Sequence, residues 1–208
     1  MSIGVTNLIK KIGKKGYMKM VNECIIPDFE NDENKKIINI HSEIYPLTKI
    51  SGQLYGCIMN DIIDKIIKKD DIDLNYFINN YPSISFKYNS TSEMINEYAF
   101  TWFDEIIKDY FSQYNSIEPR VIINNNNICG EIDYICDDMI LDLKCYRDGI
   151  CLTYHNILQL ILYYCLTTKP INKLGIYDFY NGNFIILSTD NINKQKILKY
   201  LKSNKLIL

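Results

Sequence analysis

The chain has 208 residues, 47% of them hydrophobic and 23% charged, with a formal net charge of −2. That length suffices for one domain with its own core and argues against two. The charge balance excludes a globally basic nucleic-acid-binding signature. No apolar stretch has the length a bilayer crossing needs, since even 156–167 is short and carries Gln159, so no membrane association is expected.

Seven cysteines stand singly at 24, 57, 129, 136, 145, 151 and 165. There is no CxxC pair and no Cys/His cluster at zinc spacing, so neither structural zinc nor an iron–sulfur cluster is expected. An odd, unpatterned set without a secretory signal fits an intracellular, reducing compartment such as cytoplasm or nucleus.

The first twenty residues hold Lys10, Lys11, Lys14, Lys15 and Lys19 and no acid. A solvated helix or a frayed terminus is expected there, in preference to a DNA-contacting arm. Organelle targeting is the weaker alternative, because the segment lacks arginine. Residues 28–37 are polar and read as a loop. Gln53–Lys69 reads as a helix with Leu54, Cys57, Ile58, Ile62 and Ile66 on one face, and Asp71–Asn80 as a second short one. Ser90 with Glu93 forms a capping box that opens a helix over 91–114, with Met94, Tyr98, Trp102 and Ile106 on one stripe.

After that helix the period changes from helical to alternating. Ile117–Asn124 reads as a strand, the asparagines to 127 as a turn, Ile128–Cys136 as a second strand and Met139–Cys145 as a third. A helix is expected over 153–167, then strands at 173–180 and 183–188 about an Asn181–Gly182 turn, and a Lys-rich helix capped by Asp190.

If Asp137–Asp138 forms a two-residue loop, Cys136 faces Met139 and outward counting sets Asp133 opposite Asp142 and Glu131 opposite Lys144. One face then carries Glu131, Asp133, Asp142 and Lys144 with Ile135 and Ile140. The other carries Ile132, Tyr134, Cys136, Met139, Leu141 and Leu143 as a core face. Two carboxylates facing each other repel, and a divalent cation between them removes that cost. On the following helix His155, Gln159 and Tyr163 step by four and share a face opposite Ile157, Leu158, Ile161, Leu162 and Cys165. The bland alternative is a wet sheet face followed by an amphipathic helix whose Gln and Tyr look into solvent.

The segments Gly-Glu-Ile-Asp (130–133), Ile-Leu-Asp-Leu-Lys (140–144) and Gln-Leu-Ile-Leu-Tyr (159–163) together resemble the PD-(D/E)XK nuclease superfamily. The trailing Gln-x-x-x-Tyr resembles its RecB-like and lambda-exonuclease-like branches. Ile132 stands where the family's name places proline. The resemblance covers about residues 91–188. It implies an α/β, restriction-endonuclease-like core over 91–208 (helix, three-stranded meander, helix, further strands), with residues 1–90 as a largely helical extension packed on it. It also implies Mg²⁺- or Mn²⁺-dependent hydrolysis of phosphodiester bonds, with DNA preferred to RNA. Asp133 and Asp142 would hold the metal, joined by the Leu143 carbonyl and an acid from the preceding helix, Glu97 first and Glu105 in reserve. Lys144 would act at the reacting phosphate, with Gln159 and Tyr163 orienting it or the substrate strand. Tyr154, Tyr163 and Tyr164 would offer stacking surfaces for unpaired bases. The branch implies an exonuclease or end-processing enzyme of DNA repair or recombination, acting on single strands or free ends. The alternative is a catalytically silent module of the same fold that binds nucleic acid or a protein partner.

Overall fold

A computed structural model of the chain describes residues 3–24, 36–39, 60–61, 63–65, 67–68, 70, 110–125, 127–144, 152–178 and 181–207. Strand β1 (Ile3–Gly4) runs directly into helix α1 (Val5–Cys24), and β2 (Lys36–Asn39) follows. Then come β3 (Ile117–Asn125), β4 (Ile128–Cys136), β5 (Met139–Lys144), helix α2 (Tyr154–Leu166), β6 (Lys173–Asp178), β7 (Asn183–Ser188) and helix α3 (Lys194–Ser203). The fold is mixed α/β. The expected Gln53–Lys69 helix is described only in part, and the expected elements over 71–80 and 91–109 lie outside the described residues, as do Glu97 and Glu105.

Among the described residues, one seven-stranded sheet joins all the strands. β3, β4 and β5 form the expected meander, and β5 and β6 pair in parallel, with α2 in the connection between them. β6 and β7 form a hairpin whose turn uses Gly182 at φ 67, a left-handed value that glycine adopts without strain. β2 pairs antiparallel with β7 at one end, and β1 pairs in parallel with Ile128 and Cys129 of β4. The sheet therefore crosses the expected boundary at residue 90, with two strands drawn from before it. Lys36 and Ile37, read as loop, are strand.

The N-terminal segment is a helix with its lysines exposed, as expected, but it is not a frayed end, because its other face is covered. Val5, Leu8, Ile9, Ile12, Tyr17, Met20 and Cys24 of α1 are buried, in one cluster with α2 and the sheet. Gly13, at φ 62 and ψ 175, breaks α1 into two turns of helix direction and lets both halves keep an apolar face inward. α2 is capped by the Thr153 side chain, which accepts from the Asn156 N–H, and is buried on nearly every side between the sheet and the other helices. The solvent-facing stripe of the bland alternative is absent, since Tyr163 is buried. α3 is capped by Asn193 rather than Asp190, because residues 189–192 are spent on a turn closed from Ile192 N–H to Thr189.

Both faces of the sheet are covered. Ile135, Ile140, Leu174 and Ile176 belong to the α1–α2 cluster. Across the sheet, Tyr110 packs on Tyr177 and Phe184, and Phe111 on Tyr134. Ile132, expected with Tyr134, lies instead in the same cluster as Ile135. Two residues an odd number apart share a face only if strand alternation slips between them. The slip falls at Asp133.

Candidate active site

The hairpin loop forms as the spacing predicts. Cys136 pairs with Met139, Ile135 with Ile140 and Tyr134 with Leu141. Asp137 takes the loop's left-handed position at φ 49, and its carboxylate accepts from the Asn115 and Ser116 N–H groups. The register points to Asp133 opposite Asp142, but the ladder stops one pair short. β3 pairs with residues 132 and 134 and skips 133, and Arg120, the residue facing it, has φ 52. Pairing thus lapses at Asp133 on both edges of β4, and local kinks of this kind re-aim a side chain.

The released Asp133 carboxylate turns toward β5. Its Oδ2 accepts the Leu143 N–H at 2.8 Å, and its carboxyl lies within hydrogen-bonding reach of the Asp142 carboxyl. Asp142 is 1% exposed, and its Oδ2 stands 2.6 Å from Lys144 Nζ. Lys144 Nζ also donates to Gln159 Oε1 at 3.4 Å, and Gln159 Nε2 donates to the Tyr163 hydroxyl at 3.2 Å. Five residues that the sequence singled out, drawn from β4, β5 and α2, therefore form one unbroken chain of polar contacts. His155, on the same face of α2, packs against Tyr154.

Electrostatics couple the two carboxyls. Burial, and then the Asp142 charge, push the Asp133 carboxyl up to about 7, against the pull of Lys144 and the Leu143 N–H. The Tyr163 hydroxyl is pushed up to about 12, first by burial and then by the nearby carboxylates, so it remains a neutral hydrogen-bonding group.

Gly130 sets the approach of α2. A Cβ there would lie 2.9 Å from both the Tyr163 ring and the Val5 side chain. The bare glycine lets the helix carry Tyr163 down to the strand end.

Three expectations are corrected. Glu131 does not face Lys144; it pairs with Ile122 of β3 while Lys144 pairs with Asp178 of β6, because β4 and β5 part beyond Tyr134. Tyr163 is 4% exposed and offers no open stacking surface. Tyr164 carries the Lys194 ammonium 4.1 Å above its ring, so that face is taken too.

A cleft of about 200 Å³ opens beside Asp133, lined by Asn60, Asp61, Asp64, Arg120, Glu131 and Tyr134. Arg120 donates from Nε to Asp64 at 2.5 Å and from its terminal nitrogen to Asp61 at 2.8 Å. The Tyr134 hydroxyl donates to the other Asp64 oxygen at 2.5 Å. Of these residues, Asn60, Asp61, Asp64 and Arg120 were not singled out from the sequence. The available signal was the pair Asp61 and Asp64 breaking the apolar run of the 53–69 helix, together with the rarity of arginine.

No family model matches the chain, and no curated protein matches it. Among solved structures, one described as "Crystal structure of SSO0001" is 16% identical, with a TM-score of 0.32, over 72% of this chain and 86% of that one.

Proposed function

We propose that the chain is a metal-dependent nuclease with a PD-(D/E)XK, restriction-endonuclease-like core, hydrolysing phosphodiester bonds of DNA as an exonuclease or end-processing enzyme. The observation that carries this reading is the continuous polar chain Asp133–Asp142–Lys144–Gln159–Tyr163. Two apposed, buried carboxyls beside an ammonium are an expensive arrangement for a fold to maintain without use.

The donor set fits a hard divalent cation. Asp133, Asp142 and the Leu143 main-chain carbonyl would hold Mg²⁺ or Mn²⁺, which takes one or two carboxylates and keeps several waters. When bound, such an ion lowers the pKa of a coordinated water and offsets charge on the phosphoryl oxygens. Lys144, steered by Asp142 on one side and Gln159 on the other, presents its ammonium to the charge that builds at phosphorus. Tyr163 fixes the Gln159 amide, so its part is to position rather than to react. The helix acid that the resemblance assigns to Glu97 lies outside the described residues.

One observation favours the second reading, a catalytically silent module of the same fold. Lys144 Nζ stands 2.6 Å from Asp142 Oδ2 and the Leu143 N–H donates to Asp133, so each carboxyl already has a partner without a cation. Incubation with end-labelled single- and double-stranded DNA and RNA, with and without Mn²⁺, separates the two. The nuclease reading expects Mn²⁺-dependent products that Asp142→Asn abolishes. Absence of cleavage together with no Mn²⁺-dependent rise in melting temperature establishes the silent module.

A further inference from the structure

Helix α1 carries Lys10, Lys11, Lys14, Lys15 and Lys19, all exposed, and the α3 segment carries Lys194, Lys196, Lys199, Lys202 and Lys205, all exposed but Lys194. Glu23 is the single acid in these two stretches, in a chain whose acids otherwise outnumber its bases. The two helices pack on each other and on α2. Lys196 is close enough to act on the Cys24 thiol, so α3 runs beside the end of α1.

We propose that the lysine face of α1 and α3 is a docking surface for the phosphodiester backbone of a nucleic acid strand whose reacting end lies at Asp133 and Asp142. This rests on the nuclease reading and adds where the rest of the substrate runs. Nine exposed ammonium groups are point charges suited to phosphate contacts, which position a strand without reading its sequence. The helix that bears the first lysine run packs on the helix that serves the site. Tyr17 of α1 packs on Tyr154 of α2 with ring centroids 6.0 Å apart. Val5 and Tyr163 both close on Gly130. These contacts are buried, and they seat α1 directly against α2, the helix that carries Gln159 and Tyr163.

An anionic membrane is the other polyanion such a face would suit, and packing argues against it. An interfacial helix inserts its apolar side into the lipid. Here the apolar sides of α1 and α3 are already buried, through Leu8, Ile9, Ile12, Ile197 and Leu201. What remains outward is cationic with little to insert.

The test is fluorescence anisotropy of the full chain with a fluorescein-labelled 30-nucleotide single strand in EDTA, titrated over NaCl concentration. One variant replaces Lys10, Lys11, Lys14 and Lys15 with glutamine, a second replaces Lys196, Lys199 and Lys202, and Lys173→Gln serves as control. Circular dichroism checks the fold of each, and all substituted side chains are exposed. Each neutralised phosphate contact should lower the slope of log K against log salt by about 0.7. The expected result is a fall in slope of about 2 to 3 for each multiple variant, about 10-fold or greater weakening near 0.1 M salt, and no change for Lys173→Gln. Binding that is equally tight and equally salt-dependent in the folded variants overturns the proposal. So does binding of the wild-type chain to phosphatidylserine vesicles without binding to the oligonucleotide. The readout needs no cleavage: lysine-dependent binding without Mn²⁺-dependent products removes only the nuclease reading, and cleavage with lysine-independent binding removes only this one.

Discussion

The Asp133 carboxylate accepts the Leu143 main-chain N–H at 2.8 Å, one step beyond the last paired residues of the β4–β5 ladder. A side chain thus takes over a hydrogen bond that a strand neighbour would ordinarily supply, and in doing so it is held against Asp142. The cost falls on the carboxyl itself. Asp133 is raised to about 7, first by burial and then by the Asp142 charge.

That shift makes the stability of the metal-free protein depend on pH with a definite sign. An acid whose folded pKa is raised keeps its proton in the native state after the unfolded chain has released it. Between about pH 4 and pH 7 the native state therefore binds more protons, and stability falls as pH rises through that window. Thermal melts in EDTA should show melting temperature declining from pH 5 to pH 8. Mn²⁺ should recover more at pH 8 than at pH 5, and Asp142→Asn should flatten the decline. A melting temperature that rises steadily across the window would contradict the coupled pair.

Gly130→Ala should displace Tyr163. The new methyl would sit 2.9 Å from the ring and from Val5, both buried, so one of them must move. Overpacking of a filled site costs about 1–3 kcal/mol. Denaturant unfolding should register that loss, and the cleavage rate should fall more than substrate binding, because the Gln159–Tyr163 bond that steers Lys144 is disturbed.

Tyr134→Phe should destabilise without abolishing cleavage. It deletes a buried hydroxyl that donates to the Asp64 carboxylate, and hydrogen bonds to charged groups contribute about 1.5–3 kcal/mol. Arg120 still satisfies the other Asp64 oxygen, which places the loss toward the low end. Urea unfolding measures the first effect and initial cleavage rates the second. A variant as stable as the wild type would mean that the Asp64 cluster adds nothing to the fold.

Substrate form is predicted from the branch that the Gln-x-x-x-Tyr segment resembles. Linear single strands should be degraded several-fold faster than covalently closed circular duplex. The sequence carries no helix-turn-helix or zinc-finger signature for reading a groove, so contacts should fall on the backbone and the reacting end. Equal rates on both substrates, followed by gel electrophoresis, would point to an endonuclease.

Much of the site was legible because its parts are local. The two-residue loop at 137–138 fixes its own register, and alternation then places Asp142 and Lys144 two apart on one strand face. The three-residue gap in Gln159-Leu-Ile-Leu-Tyr163 sets both polar groups on one helix face wherever that helix docks. The Asn181–Gly182 turn is likewise decided within a few residues, by backbone conformation.

What the sequence could not decide depended on partners far along the chain. Nothing near Arg120 announces its left-handed φ, and its side-chain partner Asp64 lies 56 residues earlier. The slip at Asp133 lies opposite that residue, so uniform counting put Ile132 on the wrong side of the sheet. Lysines in the first helix read as solvated because charge is visible in a sequence, whereas the apolar face of α1 finds its cover only when α2 and the sheet are in place. The pairing of β1 with β4 and of β2 with β7 joins residues more than a hundred apart, where burial and unpaired strand edges choose the neighbour and local propensity has no say.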